Sequence, residues 1–182
     1  MTRNNGTSFK ARLYLDFDGV LNAKQPQHDD VAEFHIPIEG SANLAPVNHI
    51  VYSPHVVREL ERFREQYGLE LVWLTTWNES DHVLKLSPYL GGLADGRVLP
   101  AKLHTAQVGK REWTAWKGAA IVADQDASPS PFVWIDDNAH QFHGEFVQNQ
   151  VNVDTIFITP NSSWGLTTEN LNAIESFLQG VQ

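Results

Sequence analysis

The chain has 182 residues, of which 42% are hydrophobic and 19% are charged, the balance of a globular protein rather than a disordered one. This length suits one domain with a proper core. The 13 basic and 22 acidic residues give a net charge of −9. That excess argues against non-specific coating of nucleic acid, which depends on Lys and Arg neutralising phosphates, although a local basic groove is compatible with it. There are no cysteines, which excludes disulfides, thiol chemistry and cysteine-based zinc sites.

The termini and the hydropathy pattern bear on location. Residues 1–10 have no apolar core and do not form a secretory signal. No apolar stretch approaches the roughly 18 residues of a membrane span. We therefore expect a soluble cytoplasmic protein that is not bound to a membrane, with a flexible tail over residues 1–10 and one domain over residues 11–182.

The first predicted strand, Leu13–Phe17, ends in two carboxylates followed by a glycine, in the sequence Asp16-Phe-Asp18-Gly19. Residues i and i+2 of a strand lie on the same side, so Asp16 and Asp18 should leave the strand end together. Two such charges about 4 Å apart repel by roughly 4 kcal/mol at an effective dielectric of about 20. The pair therefore indicates a bound cation or a shared proton.

Residues 22–52 do not show a helical pattern. Val31–Ile38 and Val47–Tyr52 partly alternate around a turn-rich link, which predicts a hairpin or flap beside the first strand. The next segment is the clearest helix, with Ser53 as N-cap, Pro54 in its first turn and Gly68 at its end.

The rest of the chain alternates between strands and helices. Near-continuous apolar runs predict buried strands at Glu70–Thr75, Arg97–Leu99 (weakly), Phe132–Ile135 and Thr155–Ile158. Helices are predicted at Asp81–Leu86, Lys110–Ala123, Asn138–Gln148 and Thr168–Gln179. This alternation predicts an α/β fold with a doubly wound, Rossmann-like parallel sheet of five strands, whose ligands bind at the carboxyl ends of the strands.

Further polar groups stand where such a sheet would bring them to the acidic pair. The second strand ends in Thr75-Thr76, the fourth ends in Asp136-Asp137, and Lys117 lies on the helix before the fourth strand. Carboxylate oxygens suit Mg²⁺ better than a softer metal. A metal held by carboxylates beside a lysine can neutralise a phosphoryl group during transfer, and a carboxylate can itself be a phosphoryl-accepting nucleophile.

These stretches resemble the four motifs of the haloacid dehalogenase (HAD) superfamily, in its phosphatase branch. Asp16-Phe-Asp-Gly-Val20 matches the first motif, Val72-Trp-Leu-Thr75 the second, Lys117 the third, and Val133-Trp-Ile-Asp136-Asp137 the fourth. The Trp-rich runs around the second and fourth motifs are also loosely similar to HAD domains joined to RNA-repair enzymes. The resemblance implies a sheet order of 5-4-1-2-3, with only the five strands of that sheet counted along the chain.

The resemblance also implies roles for the matched residues. Asp16 would attack phosphorus and carry an aspartyl-phosphate, and Asp18 would act as the general acid and base. Thr75, or Thr76 if the strand ends a residue later, would contact the phosphoryl oxygens. Lys117, preferred over Lys110 and Arg111, would hold the nucleophile and phosphate together. Mg²⁺ would be bound by Asp16, by Asp18 through its backbone carbonyl, and by Asp136 with or without Asp137.

The gaps between the motifs are too short for a large cap domain, so we expect a small flap over residues 22–52 and an open site. An Mg²⁺-dependent phosphomonoester hydrolase is the first hypothesis. The alternatives are a nucleic-acid end phosphatase, which the net charge does not favour, and a non-catalytic phosphate-binding module. The substrate class and the oligomeric state stay open. The histidines, His140 and His143 among them, and the flap residues His28, Asp29, Asp30 and Glu33 are expected at the surface or rim.

Overall fold

The computed structural model describes residues 9–41, 44–101 and 110–181. Most of the predicted tail over residues 1–10 lies outside these ranges. The described residues form a parallel five-stranded sheet and a separate antiparallel pair. Numbered along the chain, the sheet contains β1 (Ala11–Leu15), β4 (Leu69–Trp73), β5 (Arg97–Val98), β6 (Phe132–Ile135) and β7 (Thr155–Ile158). The pair consists of β2 (Ala32–Pro37) and β3 (Val47–Tyr52).

The strand order of the sheet is β5-β4-β1-β6-β7. These labels differ from the expected 5-4-1-2-3 because that order numbered only the five strands of the sheet, whereas the hairpin strands take the labels β2 and β3. Predicted strands one to five correspond to β1, β4, β5, β6 and β7. In both descriptions the strand that carries Asp16 is central, with the strands before Thr75 and Asp136 on either side of it.

The prediction for the first strand was wrong by two residues at each end. The strand ends at Leu15 because the carbonyl of Phe17 accepts hydrogen bonds from the backbone N–H groups of Val20, Leu21 and Asn22, which turns the chain away from the sheet. The backbone N–H of Asp16 still donates to the carbonyl of Ile135, at 3.0 Å. Asp16 is therefore the last residue held in register with the sheet.

The helices follow the predicted alternation, with one correction. They are α1 (Pro54–Tyr67), α2 (Ser87–Leu90), α3 (Lys110–Ala127), α4 (Ala139–Gln150) and α5 (Thr168–Gly180). The helix predicted at Asp81–Leu86 is instead part of a 3-10 segment, Thr76–Lys85, interrupted by non-helical backbone at residues 79–81. It begins early because the hydroxyl of Thr75 accepts a hydrogen bond from the backbone N–H of Trp77 at the strand end.

The sheet is covered on both faces, as its apolar strands predict. One face packs with α1, α5 and the hairpin in a core that includes Leu13, Leu60, Ile50 and Ile174. The other packs with α3 and α4 around Tyr14, Trp116 and Trp134. Because α3 is followed directly by β6, it crosses the sheet beside β1 and brings its first half to the carboxyl ends of the strands.

The flap is the predicted hairpin. Its register pairs His35 with His49 and Phe34 with Ile50, so alternate residues face opposite sides. Ile36 and Ile50 are buried in the core, whereas His35 and His49 are exposed. Between β1 and β4, the described residues add only this hairpin and α1 to the sheet. Among the helices of the described residues, none has the length and apolar character needed to cross a bilayer.

Candidate active site

The centre of the site is a lysine shared by two carboxylates. The Nζ of Lys117 lies 2.6 Å from Oδ2 of Asp16 and 2.6 Å from Oδ2 of Asp136. Asp16 follows β1, Asp136 follows β6, and Lys117 comes from α3. Lys117 is only 3% exposed and Asp136 is fully buried. With both acids ionised, this buried cluster of Asp16, Lys117 and Asp136, called here the carboxyl-end cluster, carries a net charge of −1.

Backbone N–H groups hold the remaining carboxylate oxygens of this cluster. Oδ1 of Asp16 accepts from the N–H of Phe17, at 2.7 Å. Oδ1 of Asp136 accepts from the N–H groups of Asn138 and Ala139, where α4 begins. The unpaired N–H groups of a helix N-terminus favour an anion, so the position of Asp136 is set by the strand behind it and the helix ahead of it.

The two acids respond in opposite directions to their shared environment. Burial raises the pKa of Asp16 to about 8, with Lys117 opposing the rise and Asp136 adding to it. For Asp136, burial alone would raise the pKa, but Lys117 and the N–H groups of Ala139 and Asn138 lower it below its ordinary value. Burial would lower the pKa of Lys117, yet the two carboxylates raise it overall. One ammonium is thus too little to keep both buried acids ionised, and a proton on Asp16 or a bound cation supplies the remaining positive charge.

Asp18 is exposed and lies outside this cluster, and both of its carboxylate oxygens accept hydrogen bonds from neutral side chains. Oδ1 accepts from Nδ2 of Asn22 at 2.7 Å, and Oδ2 accepts from the indole Nε1 of Trp77 at 2.8 Å. Trp77 is buried, with only 1% of the residue exposed. Its bond to Asp18 crosses 59 positions of sequence, so no local pattern could have revealed it.

The two threonines after β4 take different positions. Thr75 is fully buried, and its hydroxyl accepts a bond from the N–H of Trp77 at 3.4 Å. Thr76 lies on the wall of the cavity above the acids. Of the two residues proposed to contact a phosphoryl group, the structure therefore presents Thr76 to the cavity and uses the hydroxyl of Thr75 to start the 3-10 segment.

Asp137 completes a group of carboxylates suited to a divalent cation. One oxygen each from Asp16, Asp136 and Asp137 lie within 4.8 Å of one another. Gly19 faces Asp137 with a φ of +75°, and a Cβ at this position would lie 2.7 Å from Cγ of Asp137. The glycine therefore allows both the left-handed turn and the close approach of the carboxylate. Hard oxygen donors with excess negative charge fit Mg²⁺, whereas the Asp18 carboxylate is not part of this group.

These residues lie in a cavity of about 620 Å³, a size ordinary for ligand sites. Besides the predicted residues, its walls include further side chains from the loop after β1, the hairpin, the start of α3 and the loop after β7. The side chains that were missed are Asn22, Lys24, His49, Val51, Trp113, Thr114, Ser162 and Ser163. Only tertiary packing brings them together, so the sequence offered no motif for them.

The other candidate residues whose side chains are described do not line the cavity, although His140 is close enough to Asp136 for the charge of that carboxylate to act on it. Arg111 is exposed, and its backbone carbonyl contacts Nε2 of His143 at 2.8 Å. The side chain of Lys110 is outside the described residues. His140 contacts the hydroxyl of Thr159. In the flap, His28 contacts the carbonyl of Leu166 at 3.0 Å, and Asp30 accepts bonds from Ser53 and Arg58, so these two groups serve local packing.

The fold and the acidic strand ends define an α/β protein of the haloacid dehalogenase type. A family model described as the HAD domain in Swiss Army Knife RNA repair proteins matches residues 12–171. The chain therefore belongs to this family of HAD domains, and through it to a superfamily made up generally of hydrolases and phosphatases. In a comparison with curated protein sequences, none matches the chain.

Proposed function

We propose that this chain is an Mg²⁺-dependent phosphomonoester hydrolase that works through an aspartyl-phosphate on Asp16. The observation that carries the proposal is the carboxyl-end cluster in a cavity wall, where Lys117 lies 2.6 Å from both Asp16 and Asp136. A buried lysine bonded to two acids of a closed core would be structural. Here the cluster opens to a space large enough for a substrate.

In the first step, a carboxylate oxygen of Asp16 attacks phosphorus while the bond from phosphorus to the leaving oxygen breaks. Asp18, which shares the cavity, gives its proton to that oxygen, so the product leaves as a neutral alcohol. Lys117 and Thr76 bind the phosphoryl oxygens, and their fixed positions stabilise the charge that develops during transfer.

In the second step, water attacks the phosphorus of the acyl phosphate, and Asp18 takes a proton from that water. The bond between phosphorus and the Asp16 oxygen breaks, which releases inorganic phosphate and restores both carboxyl groups. The same residue thus acts as acid and then as base.

Asp16, Asp136 and Asp137 are the side chains that would hold the divalent cation. When bound, Mg²⁺ supplies positive charge that favours the ionised form of Asp16 and offsets the charge of the phosphoryl oxygens. The net charge of −1 that the carboxyl-end cluster carries once both acids are ionised is the physical reason to expect such a cation.

The test is a hydrolysis screen with and without Mg²⁺ over sugar phosphates, nucleotides, phosphopeptides, oligonucleotides with terminal phosphates and a generic aryl phosphate. We expect Mg²⁺-dependent release of inorganic phosphate, abolished by Asp16→Asn. Tight binding of phosphorylated compounds without any turnover would instead support a non-catalytic phosphate-binding module.

The second candidate is hydrolysis of a terminal phosphate on a nucleic acid. Two observations favour it: the RNA-repair description of the matching family, and a cavity wall that includes Lys24 and His49 beside the acids. A lysine next to the reacting phosphate could bind the adjoining backbone phosphate, which would offset part of the unfavourable net charge of −9.

Lys24→Ala distinguishes this candidate from a small-molecule phosphatase. For a nucleic-acid substrate, we expect the KM of a phosphorylated oligonucleotide to rise more than that of an aryl phosphate, with a weaker dependence on salt. Lys85→Ala, at an exposed position away from the cavity, is the matched control. Equal KM changes for both substrates would contradict the nucleic-acid assignment.

A further inference from the structure

We propose that Trp77, together with Asn22, positions the carboxyl group of Asp18 for proton transfer to the leaving group. This inference rests on the proposed phosphatase function and adds to it two residues that orient the acid. Trp77 would act through its indole N–H and Asn22 through its side-chain amide.

Burial, a ring contact and a backbone hydrogen bond fix the position of Trp77. Its side chain is 1% exposed, and its ring packs edge-to-face on Phe17 with the centroids 5.3 Å apart. Its backbone N–H donates to the hydroxyl of Thr75. The indole therefore presents its Nε1 from a rigid base, 2.8 Å from Oδ2 of Asp18.

Asn22 holds the other carboxylate oxygen and is itself held by the hairpin. Its Nδ2 donates to Oδ1 of Asp18 at 2.7 Å, while its Oδ1 accepts from the backbone N–H of Val51 at 3.0 Å. The backbone carbonyl of Asn22 accepts a hydrogen bond from the backbone N–H of Gly19. The plane of the Asp18 carboxylate is thereby defined by donors from two separate parts of the chain.

Other tryptophans show that packing alone does not require the bond between Trp77 and Asp18. The indole N–H groups of Trp73, Trp116 and Trp134 are buried without a hydrogen-bond partner among the described residues. The fold thus tolerates a buried tryptophan whose N–H is unpaired. At Trp77 the N–H is directed instead at the one residue proposed to move a proton.

Asp18 needs such positioning because it is exposed. A free aspartate at the surface samples several rotamers, whereas proton transfer in the transition state requires a fixed distance and direction to the leaving oxygen. Two opposed donors limit the carboxylate to one orientation beside the cavity.

The test is Trp77→Phe, which keeps an aromatic ring against Phe17 and removes the N–H. We measure kcat/KM in Mg²⁺ for phenyl phosphate, whose leaving group needs a proton, and for dinitrophenyl phosphate, whose leaving group does not. We expect kcat/KM to fall roughly tenfold for phenyl phosphate, a part of the 10²- to 10⁴-fold that a general acid supplies. For dinitrophenyl phosphate, we expect a change below about twofold.

Trp73→Phe is the matched control, because Trp73 is fully buried on the neighbouring strand and its N–H has no partner among the described residues. It should change kcat/KM for both substrates by the same small factor. In an Asp18→Asn background, Trp77→Phe should add no further leaving-group dependence, because the two residues act through one proton transfer.

The outcomes separate the inference from the function on which it rests. Failure of the parent protein to hydrolyse either substrate overturns the proposed function. If the parent is active, an equal loss on both substrates, or no loss, overturns the positioning role. If Trp77→Phe does not fold by circular dichroism, Asn22→Ala is put to the same pair of substrates. A loss confined to phenyl phosphate then supports the inference, and a uniform loss overturns it.

Discussion

The two ends of the sheet each carry a cluster of charged side chains beneath α3, and the clusters differ in their charge balance. At the amino end, Arg12 and Arg97 both bond Glu70 and Asp124, with charge-pair distances between 2.6 and 3.5 Å. This amino-end cluster of Arg12, Glu70, Arg97 and Asp124 has as many cations as anions. The carboxyl-end cluster has one cation for two anions and opens to the cavity.

The comparison shows that burial of ionic groups does not by itself indicate a functional site. Both clusters tie α3 to β1 and both are largely shielded from water. The amino-end cluster satisfies its own charges, so nothing about it calls for a ligand. In the carboxyl-end cluster two acids share one ammonium, so both acids can be ionised together only if a bound cation adds positive charge.

The largest expected difference between the clusters is in catalysis. Asp16→Asn should lower kcat/KM for an aryl phosphate by about 10⁴-fold or more, because the amide cannot form the covalent intermediate. Asp124→Asn changes the same atoms in the amino-end cluster and should keep the parental rate. Phosphate release under Mg²⁺ measures both variants. Parental activity in Asp16→Asn would contradict the assignment of Asp16 as the nucleophile.

The next comparison removes one cation from each cluster. Lys117→Met should lower the rate by on the order of 10²-fold or more, as expected for one preorganised charge. Lys117→Met should lower the free energy of unfolding by about 3–5 kcal/mol, because it leaves two buried carboxylates without their partner. Arg12→Met should lower it by less, because Arg97 still pairs with Glu70 and Asp124. Urea unfolding and steady-state kinetics check the two effects. A lower turnover rate in Arg12→Met would contradict the expectation that only the carboxyl-end cluster takes part in catalysis.

Binding of Mg²⁺ should have a smaller effect, which is a rise in the thermal stability of the folded protein. At ten times its dissociation constant, a ligand stabilises the folded state by about 1.4 kcal/mol, which would raise the Tm of a chain of this size by about 3–6 °C. Mg²⁺ should produce this rise in the parent and in Asp124→Asn but not in Asp136→Asn. Thermal unfolding with Mg²⁺ and with EDTA measures it. An identical rise in Asp136→Asn would place the cation elsewhere.

The smallest expected difference between the two clusters is in how they make the stability of the metal-free protein depend on pH. Burial alone would raise the pKa of Asp124, but Arg97 and Tyr14 lower it below its ordinary value. A carboxyl with a lowered folded pKa stabilises the fold above its unfolded pKa, and this stability is lost as the pH falls through the folded pKa. Asp16, whose folded pKa is raised to about 8, holds a proton that the unfolded chain has released, so stability falls as the pH rises from about 4 to about 8.

Urea unfolding in EDTA at several pH values separates these two contributions. Asp124→Asn should weaken the loss of stability on acidification below about pH 4, and Asp16→Asn should weaken the decline between about pH 4 and about pH 8. If Asp16→Asn and the parent keep the same difference in stability across that window, the raised pKa of Asp16 is wrong.

Much of the fold could be predicted because local pattern and burial agree in it. The apolar strands, the capped helix after Ser53 and the hairpin follow from short-range rules. Parallel strands also bring their carboxyl ends to one edge, and at that edge the structure places Asp16, Asp136 and Lys117 in contact.

The remaining features depend on contacts that local patterns do not encode. The 3-10 segment after Thr75 replaces a predicted helix because a side-chain cap and three non-helical residues reset the backbone. The choice between Thr75 and Thr76 depends on where β4 ends. The bond from Trp77 to Asp18 and the placement of Lys24 and His49 on the cavity wall arise from packing between distant segments.

The course of α3 along β1 has a consequence for reading sequence variation. The same side of β1 is fastened to the helix region three times: Arg12 donates to the carbonyl of Ser128, Tyr14 donates to Asp124, and Asp16 accepts from Lys117. Separate bonds therefore hold each end of this helix region against the strand. Substitutions near residue 12 or 128, which lie at the opposite end of the sheet from the cavity, should therefore show their effect as lost stability while turnover is kept.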